Sequence, residues 1–275
     1  MQFVHRSSCP ELLEEKQADW TAPWLVYYRW KTGMNCETKK VTRPSSSHWL
    51  RDEIRLPLIK DFHNNCGYCG QSLPTPQNTS VSKGDVDHYL PQSDYPDQVY
   101  EWTNYVWSCK PCNGLKWTFH STEHPLLNPC CKKDCTQLLF IEDTGQYILK
   151  PAVANDTYWQ QRLNNNERKT CLNADEICQK RCVGISMLRQ RFESIAGTID
   201  NIAMLRKRDS GGRLGTAIKR MKGQLCSDIE EILIITGSPE FYFLLQEQYR
   251  RLRQKYRKVA ELIDQQEETS QPSQS

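Results

Sequence analysis

The sequence lacks a long apolar run. No stretch of its 275 residues approaches the ~20 consecutive apolar residues that a transmembrane helix needs, and the mean hydropathy is -0.71. The opening residues, MQFVHRSSCPELLEEK, also lack the apolar core of a secretory signal. We therefore expect a cytoplasmic protein that does not enter a membrane.

A strong excess of charge of either sign is missing as well. The sequence has 36 lysines and arginines against 33 aspartates and glutamates, so its formal net charge is only +3. The field of the whole chain therefore gives weak support for nucleic-acid binding, and local clusters must supply any basic surface. The densest cluster is at residues 249–258. A solvated helix face and a contact with nucleic acid or an acidic partner explain it equally well.

A phosphate-binding glycine loop is absent too. The glycine cluster at residues 210–215 follows no predicted strand and precedes no Gly-Lys-Ser/Thr. This pattern favours a turn between helices over a phosphate cradle.

Cysteine, in contrast, is abundant. The odd number of 13 cysteines argues against a secreted disulfide framework and fits reduced thiols that bind metal. Four of them form two C-x-x-C pairs, Cys66/Cys69 and Cys109/Cys112. Each pair can turn two thiolates toward one point, and four thiolates satisfy the tetrahedral preference of zinc. The sequence thus predicts a closed structural zinc site, while disulfides, unrelated buried thiols and a redox pair are weaker alternatives.

Six further cysteines stand in two groups outside these pairs. A second metal site built from them stays open as a weaker alternative, because neither group contains two well-spaced C-x-x-C pairs. These residues are Cys130, Cys131, Cys135, Cys171, Cys178 and Cys182.

The segment between the two cysteine pairs predicts two strands and a helix. Residues 84–91 (GDVDHYLP) and 104–109 (NYVWSC) contain the β-branched and aromatic residues that strands favour. The Lys110-Pro111 step then suits a helix that begins near Cys112, because proline is tolerated in the first turn. The predicted order is strand, long loop, strand, helix.

Three polar side chains of this segment suit phosphodiester hydrolysis. In the predicted order, Asp87 and His88 from the first strand and Asn113 from the start of the helix can face one metal-sized gap beside the zinc. Histidine titrates near neutrality and can take a proton from water, and the oxygens of Asp87 and Asn113 suit a hard ion such as Mg2+. The alternatives are a structural histidine or fifth zinc ligand, a turn-capping carboxylate and a helix N-cap, respectively.

These residues resemble the motif of the HNH (ββα-metal) endonucleases. The run D-V-D-H-Y-L-P-Q-S is similar to the HNH domain of the RNA-guided CRISPR nuclease, and the spacing from Asn104 through Asn113 to Lys116 matches that domain. With the cysteine pairs included, the chain is more similar to the PtuB-type HNH nucleases of Septu and retron anti-phage defence systems. The start MQFVHRSSCPEL and the stretches HPLLNP (124–129) and RKTCLN (168–173) add to this resemblance.

The resemblance implies a role for each motif residue. His88 would be the general base that activates water, and Asp87 and Asn113 would bind one catalytic Mg2+ or Mn2+. Asn104 would hold the loop between the strands so that His88 keeps its angle, and Lys116 would neutralise a substrate phosphate. Asn113 stands where many relatives have histidine, which favours a hard ion at this site.

The resemblance also implies a function and partners. The protein would be a metal-dependent endonuclease of nucleic acid, with DNA favoured, and the toxic effector of an anti-phage defence system. An ABC/SMC-type ATPase (PtuA-like) would be its partner, and a retron reverse transcriptase with its RNA–DNA hybrid would be a further one. Two alternatives remain: an RNA (tRNA) endonuclease of the same system, and an inactive zinc-stabilised module that binds nucleic acid or protein.

The predicted fold class is α+β, with a zinc-stapled ββα-metal core and an α-helical C-terminal domain. We expect an aromatic and helical N-terminal segment at 1–65 and the nuclease domain at 66–150. A helical domain for docking a partner or nucleic acid follows at 151–265, and a disordered polar tail at 266–275.

Secondary structure outside the motif follows from local patterns. Residues 10–16 predict a short helix, and the aromatic stretch after it is typical of a core or partner surface, with base stacking as the weaker alternative. Residues 138–151 predict a β-hairpin that turns at Thr144-Gly145. Apolar spacing predicts helices at 157–168, from 174 and over 183–207, at 216–236 and at 238–265.

Overall fold

A computed structural model describes most of the chain in two compact units, Met1–Cys178 and Gln179–Ser275. The functional division predicted at 65 and 150 stays a prediction. The described residues are 1–34, 40–45, 47–74, 83–209, 214–237 and 241–270.

The first unit begins with two helices, α1 (Glu11–Lys31) and α2 (Asp52–Asp61). Helix α1 is much longer than the predicted 10–16, because the aromatic stretch continues the helix. Glu11 and Glu14 lie in its first turn and Arg29 and Lys31 in its last, which complements the helix dipole. Burial of Leu13 and Trp24 stabilises a sequence whose own helix signal is weak.

The strand, loop, strand, helix order is confirmed. Strand β1 (Asp85–His88) pairs antiparallel with β2 (Tyr105–Ser108), with His88 opposite Tyr105. Helix α3 (Lys110–Lys116) follows directly, and Pro111 lies in its first turn as expected. The hairpin thus places the start of β1 beside the start of α3, where Asn113 contacts Asp85. The end of α3 returns to the end of β1, where Lys116 contacts the backbone oxygen of His88.

A short helix, a β-hairpin and a longer helix follow in this unit. After α4 (Lys132–Thr136), strands β3 (Leu138–Ile141) and β4 (Gln146–Leu149) form the predicted hairpin. Gly145 has φ +70°, and a Cβ there would lie 2.2 Å from the carbonyl oxygen of Cys178, so the turn requires glycine. Helix α5 (Thr157–Lys169) then packs against β4.

The second unit is helical, as predicted. It contains most of α6 (Asp175–Arg208) with α7 (Gly215–Gly237), α8 (Tyr242–Lys255) and α9 (Arg257–Ser270). Its core includes Leu188, Phe192, Ile195, Ile229, Ile232 and Ile263, all buried.

Two expectations for the end of the chain differ from the structure. The single helix predicted at 238–265 is divided at Tyr256, whose backbone (φ -113°, ψ 67°) ends α8. Helix α9 reaches Ser270 and so enters the tail that was expected to be disordered from 266; residues 271–275 lie outside the described part. Within the described ranges, no helix combines the length and apolarity of a membrane span.

Candidate functional site

The four cysteines of the two C-x-x-C pairs come together. The sulfur atoms of Cys66, Cys69, Cys109 and Cys112 all lie within 4.8 Å of one another, and all four residues are buried. The sulfurs of Cys69 and Cys109 are 3.9 Å apart. Four thiolates at ~2.3 Å from a zinc ion stand about 3.8 Å apart along the edges of a tetrahedron. The cluster therefore fits a zinc ion.

Backbone amides near the cluster point at its sulfurs. The N–H of Cys112 donates to Sγ of Cys109 at 3.4 Å, and the N–H of Cys171 donates to Sγ of Cys112 at 3.3 Å. Such bonds stabilise negative charge on a metal-ligating sulfur. Cys171 therefore supports the cluster. Among the described residues, the six cysteines of the two other groups form no metal-sized cluster of their own.

The thiols of the cluster differ in pKa. Burial opposes ionisation of Cys66, but hydrogen bonds from the other three thiols outweigh burial and hold its pKa well below the usual value. The hydrogen bond with Cys109 is the main reason that the pKa of Cys69 is raised well above it. A bound divalent cation takes the place of such shared protons.

A cavity of about 610 Å³ lies in the same unit, and we call it the site cavity. Its walls are one face of α1, strand β1, residues 91–93 and helix α3 with the two residues that follow it. Asp87, His88 and Asn113 all contribute to these walls. The structure thus brings together the three residues that the sequence predicted to face one gap.

Asp87 is buried, with 5% of its surface exposed. Its Oδ2 accepts a 2.5 Å hydrogen bond from the hydroxyl of Tyr68, and its Oδ1 lies 3.1 Å from Nζ of Lys116. Burial raises the pKa of Asp87 despite the opposing charge of Lys116. A divalent cation at this carboxylate would favour its charged form.

His88 is held in one tautomer between two aromatic rings. Its Nε2 lies 2.8 Å from the backbone oxygen of Val99, and since a carbonyl only accepts, Nε2 carries the proton. Trp49 and Tyr105 meet the imidazole edge to face at 4.7 and 5.2 Å. Burial lowers the pKa of His88 to about 4, so the ring is neutral at pH 7 with its lone pair on Nδ1.

Asn104 ties down the loop between the strands. Its Oδ1 accepts from the N–H of Leu90 at 2.7 Å, and its Nδ2 donates to the backbone oxygens of Leu90 and Gln98 at 3.0 and 2.9 Å. The bond to Gln98 holds the residue next to Val99, whose backbone oxygen accepts from the His88 ring. These bonds of Asn104 are the contacts that the predicted loop-holding role needs.

Asn113 lines the site cavity, and its Nδ2 donates to Oδ2 of Asp85 at 3.3 Å. This orientation leaves the amide oxygen Oδ1 as the available metal ligand.

Lys116 is almost completely buried, with 1% exposed. Besides Asp87, its Nζ donates to the backbone oxygen of His88 at 2.6 Å. Lys116 therefore positions both neighbours. A direct contact with a substrate phosphate stays a prediction that this burial disfavours.

The basic cluster at 249–258 is partly neutralised within its own unit. Arg253 binds both carboxylate oxygens of Asp264 at 2.7 and 2.8 Å, and Arg251 pairs with Glu247. Contact of this cluster with nucleic acid stays a prediction.

Several residues of the site were missed in the sequence. Tyr68 lies between the two cysteines of the first C-x-x-C pair, and this position could have indicated that it belongs to the site. Trp49 and the carbonyl of Val99 gave no signal, because both reach His88 only through the tertiary fold.

The fold and site define a mixed helix and sheet protein with a four-cysteine cluster of zinc type and, in the same unit, a cavity lined by aromatic and polar side chains. Over 92 residues, the chain is 35% identical to the Septu protein PtuB of Bacillus thuringiensis. This similarity covers 34% of the chain and 34% of that protein, so the chain spans about a third of the relative's length. No family model and no solved structure matches the chain.

Proposed function

We propose that the first unit is an HNH-type endonuclease that hydrolyses phosphodiester bonds of nucleic acid, with DNA as the favoured substrate. The observation that carries the proposal is the shared wall of the site cavity. Asp87 and His88 come from β1 and Asn113 from α3, and His88 is neutral with a defined tautomer.

The donor atoms of the site fit a hard divalent cation. A carboxylate and an amide oxygen, from Asp87 and Asn113, leave most positions of Mg2+ or Mn2+ for water and phosphate. Such an ion, when bound, supplies a Lewis acid beside the scissile phosphate. The four-cysteine cluster, with sulfur donors only, suits zinc and has a structural role.

His88 is the general base in this proposal. Nδ1 takes the proton from the attacking water, while Nε2–H stays bonded to the oxygen of Val99 and stabilises the imidazolium that forms. Burial and the charge of Lys116 both oppose that imidazolium, so the proton is released readily. Asn104 keeps the loop in place during this step.

The similarity to Septu protein PtuB supports a role in anti-phage defence. We propose that the protein is the toxic effector of such a system, acting with an ABC/SMC-type ATPase (PtuA-like). A retron reverse transcriptase with its RNA–DNA hybrid is a further partner implied by the resemblance. The helical unit is proposed as the docking surface.

A cleavage panel tests the proposal. The zinc-loaded protein is incubated with duplex DNA, single-stranded DNA and tRNA, with Mg2+ or Mn2+ added or omitted, and with and without the ATPase. We expect cleavage that needs added cation and is at least about 100-fold slower in Asp87→Ala, since the chain loses a metal ligand. The exposed Asp97→Ala is the matched control and keeps the parent rate.

Each other outcome has a defined meaning. Cleavage of tRNA alone would make the protein an RNA endonuclease, and no cleavage of any substrate would leave the inactive binding module. Zinc content is measured in Asp87→Ala and in Asp97→Ala, and it shows whether a variant that cleaves slowly is still folded.

A further inference from the structure

We propose that the site cavity binds an unpaired nucleotide whose base stacks on Trp117, so that the substrate is a single-stranded or unpaired stretch of nucleic acid. This inference rests on the proposed nuclease function of the same cavity and specifies its substrate class.

Trp117 is unusual in exposure and in backbone. Its side chain is 76% exposed and lines the site cavity just beyond the end of α3. Its backbone has φ 46° and ψ -122°, a region that glycine adopts readily and that strains a bulky residue. Strain of this kind persists where a function depends on it. A ligand that covers the indole explains why tryptophan occupies this position.

A second aromatic wall is formed by α1. Trp24, Tyr27, Tyr28 and Lys31 line the site cavity, and their spacing of i, i+3, i+4 and i+7 places them on one helix face. Tyr27 and Tyr28 are half-buried and so still offer ring surface to a ligand. The cavity therefore has aromatic surfaces on α1 and beside α3.

The same cavity has exposed cations. Lys31, Arg43 and Lys110 line it and are all exposed, and the guanidinium of Arg43 lies 5.6 Å from the ring centre of Trp24. Aromatic surfaces that alternate with cations are the chemistry that binds bases and phosphates together. An apolar ligand would not require the cations, and a simple anion would not require the rings.

The aromatic walls favour an unpaired strand over a duplex. In a duplex, the bases stack on one another and present only their edges and the backbone to a protein. An unpaired base offers its free face to an aromatic side chain. A volume of 610 Å³ is also that of a site for one small ligand, since such sites span about 300–1,000 Å³.

Binding to the catalytically silent His88→Ala protein tests the inference. Fluorescence anisotropy compares a short single-stranded DNA, the matching RNA and the corresponding DNA duplex. We expect both single strands to bind more tightly than the duplex. On the same background, Trp117→Gly should weaken single-strand binding by roughly 5- to 150-fold, the range for loss of one base–aromatic stack. Trp117→Phe should retain most of the affinity.

The controls separate binding from folding. Leu115→Ala, a change of an exposed α3 residue outside the cavity wall, should leave affinity unchanged. The Tm of Trp117→Gly should not fall, because glycine suits the backbone there, so weaker binding cannot reflect unfolding.

Tighter duplex binding, or parent-like binding by Trp117→Gly, would overturn the inference. Because this assay involves no cleavage, its result is independent of whether the parent protein cuts nucleic acid.

Discussion

The hydroxyl of Tyr68 donates to Oδ2 of Asp87 at 2.5 Å. Tyr68 lies between Cys66 and Cys69, so the turn that carries these two cysteines also contacts Asp87 in the wall of the site cavity. Burial and the nearby carboxylate raise the pKa of Tyr68 well above its usual value, so the hydroxyl stays a donor. The turn that carries the cluster therefore also positions Asp87.

Replacing Tyr68 with phenylalanine removes this bond alone. The buried carboxylate of Asp87 loses a donor, which costs about 1–3 kcal/mol in the free energy of unfolding. Urea denaturation measures the loss, and we expect slower metal-dependent cleavage with unchanged zinc content. Tyr95→Phe, which also loses a hydroxyl contact (to His120), should not slow cleavage. A Tyr68→Phe protein as stable and active as the parent would contradict the positioning role.

Lys116→Met should destabilise the protein strongly. The change leaves the buried carboxylate of Asp87 without its cation, and breaking such a pair costs about 3–5 kcal/mol. Urea unfolding gives the value, and the exposed Lys132→Met serves as control. If Lys116→Met were as stable as the parent but bound substrate more weakly, the phosphate contact predicted from the sequence would be correct instead.

Cys109→Ser should lose the zinc ion and thermal stability together. A structural zinc site contributes directly to folding, so removal of one thiolate lowers both the metal content and the unfolding temperature. Metal analysis and circular dichroism measure the two quantities on the same sample. The exposed Cys226→Ser is the matched control. Full zinc content at an unchanged melting temperature would argue against a structural site.

Asn104→Ala should loosen the loop between β1 and β2. The N–H of Leu90 loses its acceptor, so its amide should exchange with solvent faster, and cleavage should slow because Val99 no longer fixes the His88 ring. Hydrogen exchange measures the first effect. Asn165→Ala, which removes a comparable bond to the oxygen of His124, should leave this loop unchanged. Exchange at Leu90 equal to that of the parent would exclude the role.

Local chemistry explains what the sequence could predict. The cysteine pairs, the two strands of the motif and the turn at Gly145 depend on residues that are close in sequence, and the structure has all of them. The length of α1 was underestimated because burial of Trp24, rather than helix propensity, stabilises it.

Contacts between residues far apart in the chain could not be predicted from the sequence. The resemblance assigns Lys116 to a substrate phosphate, and only packing shows that it faces Asp87 and the backbone of His88. No glycine or proline near Tyr256 indicates in the sequence that α8 and α9 are separate helices.

The most direct test of the account is the single-turnover cleavage rate of His88→Ala relative to the parent, with Mg2+ present and zinc content equal in both. Loss of a general base slows catalysis roughly 10²–10⁴-fold, so we expect a rate at least about 100-fold below that of the parent. A rate equal to that of the parent would contradict the assignment of His88 as the base.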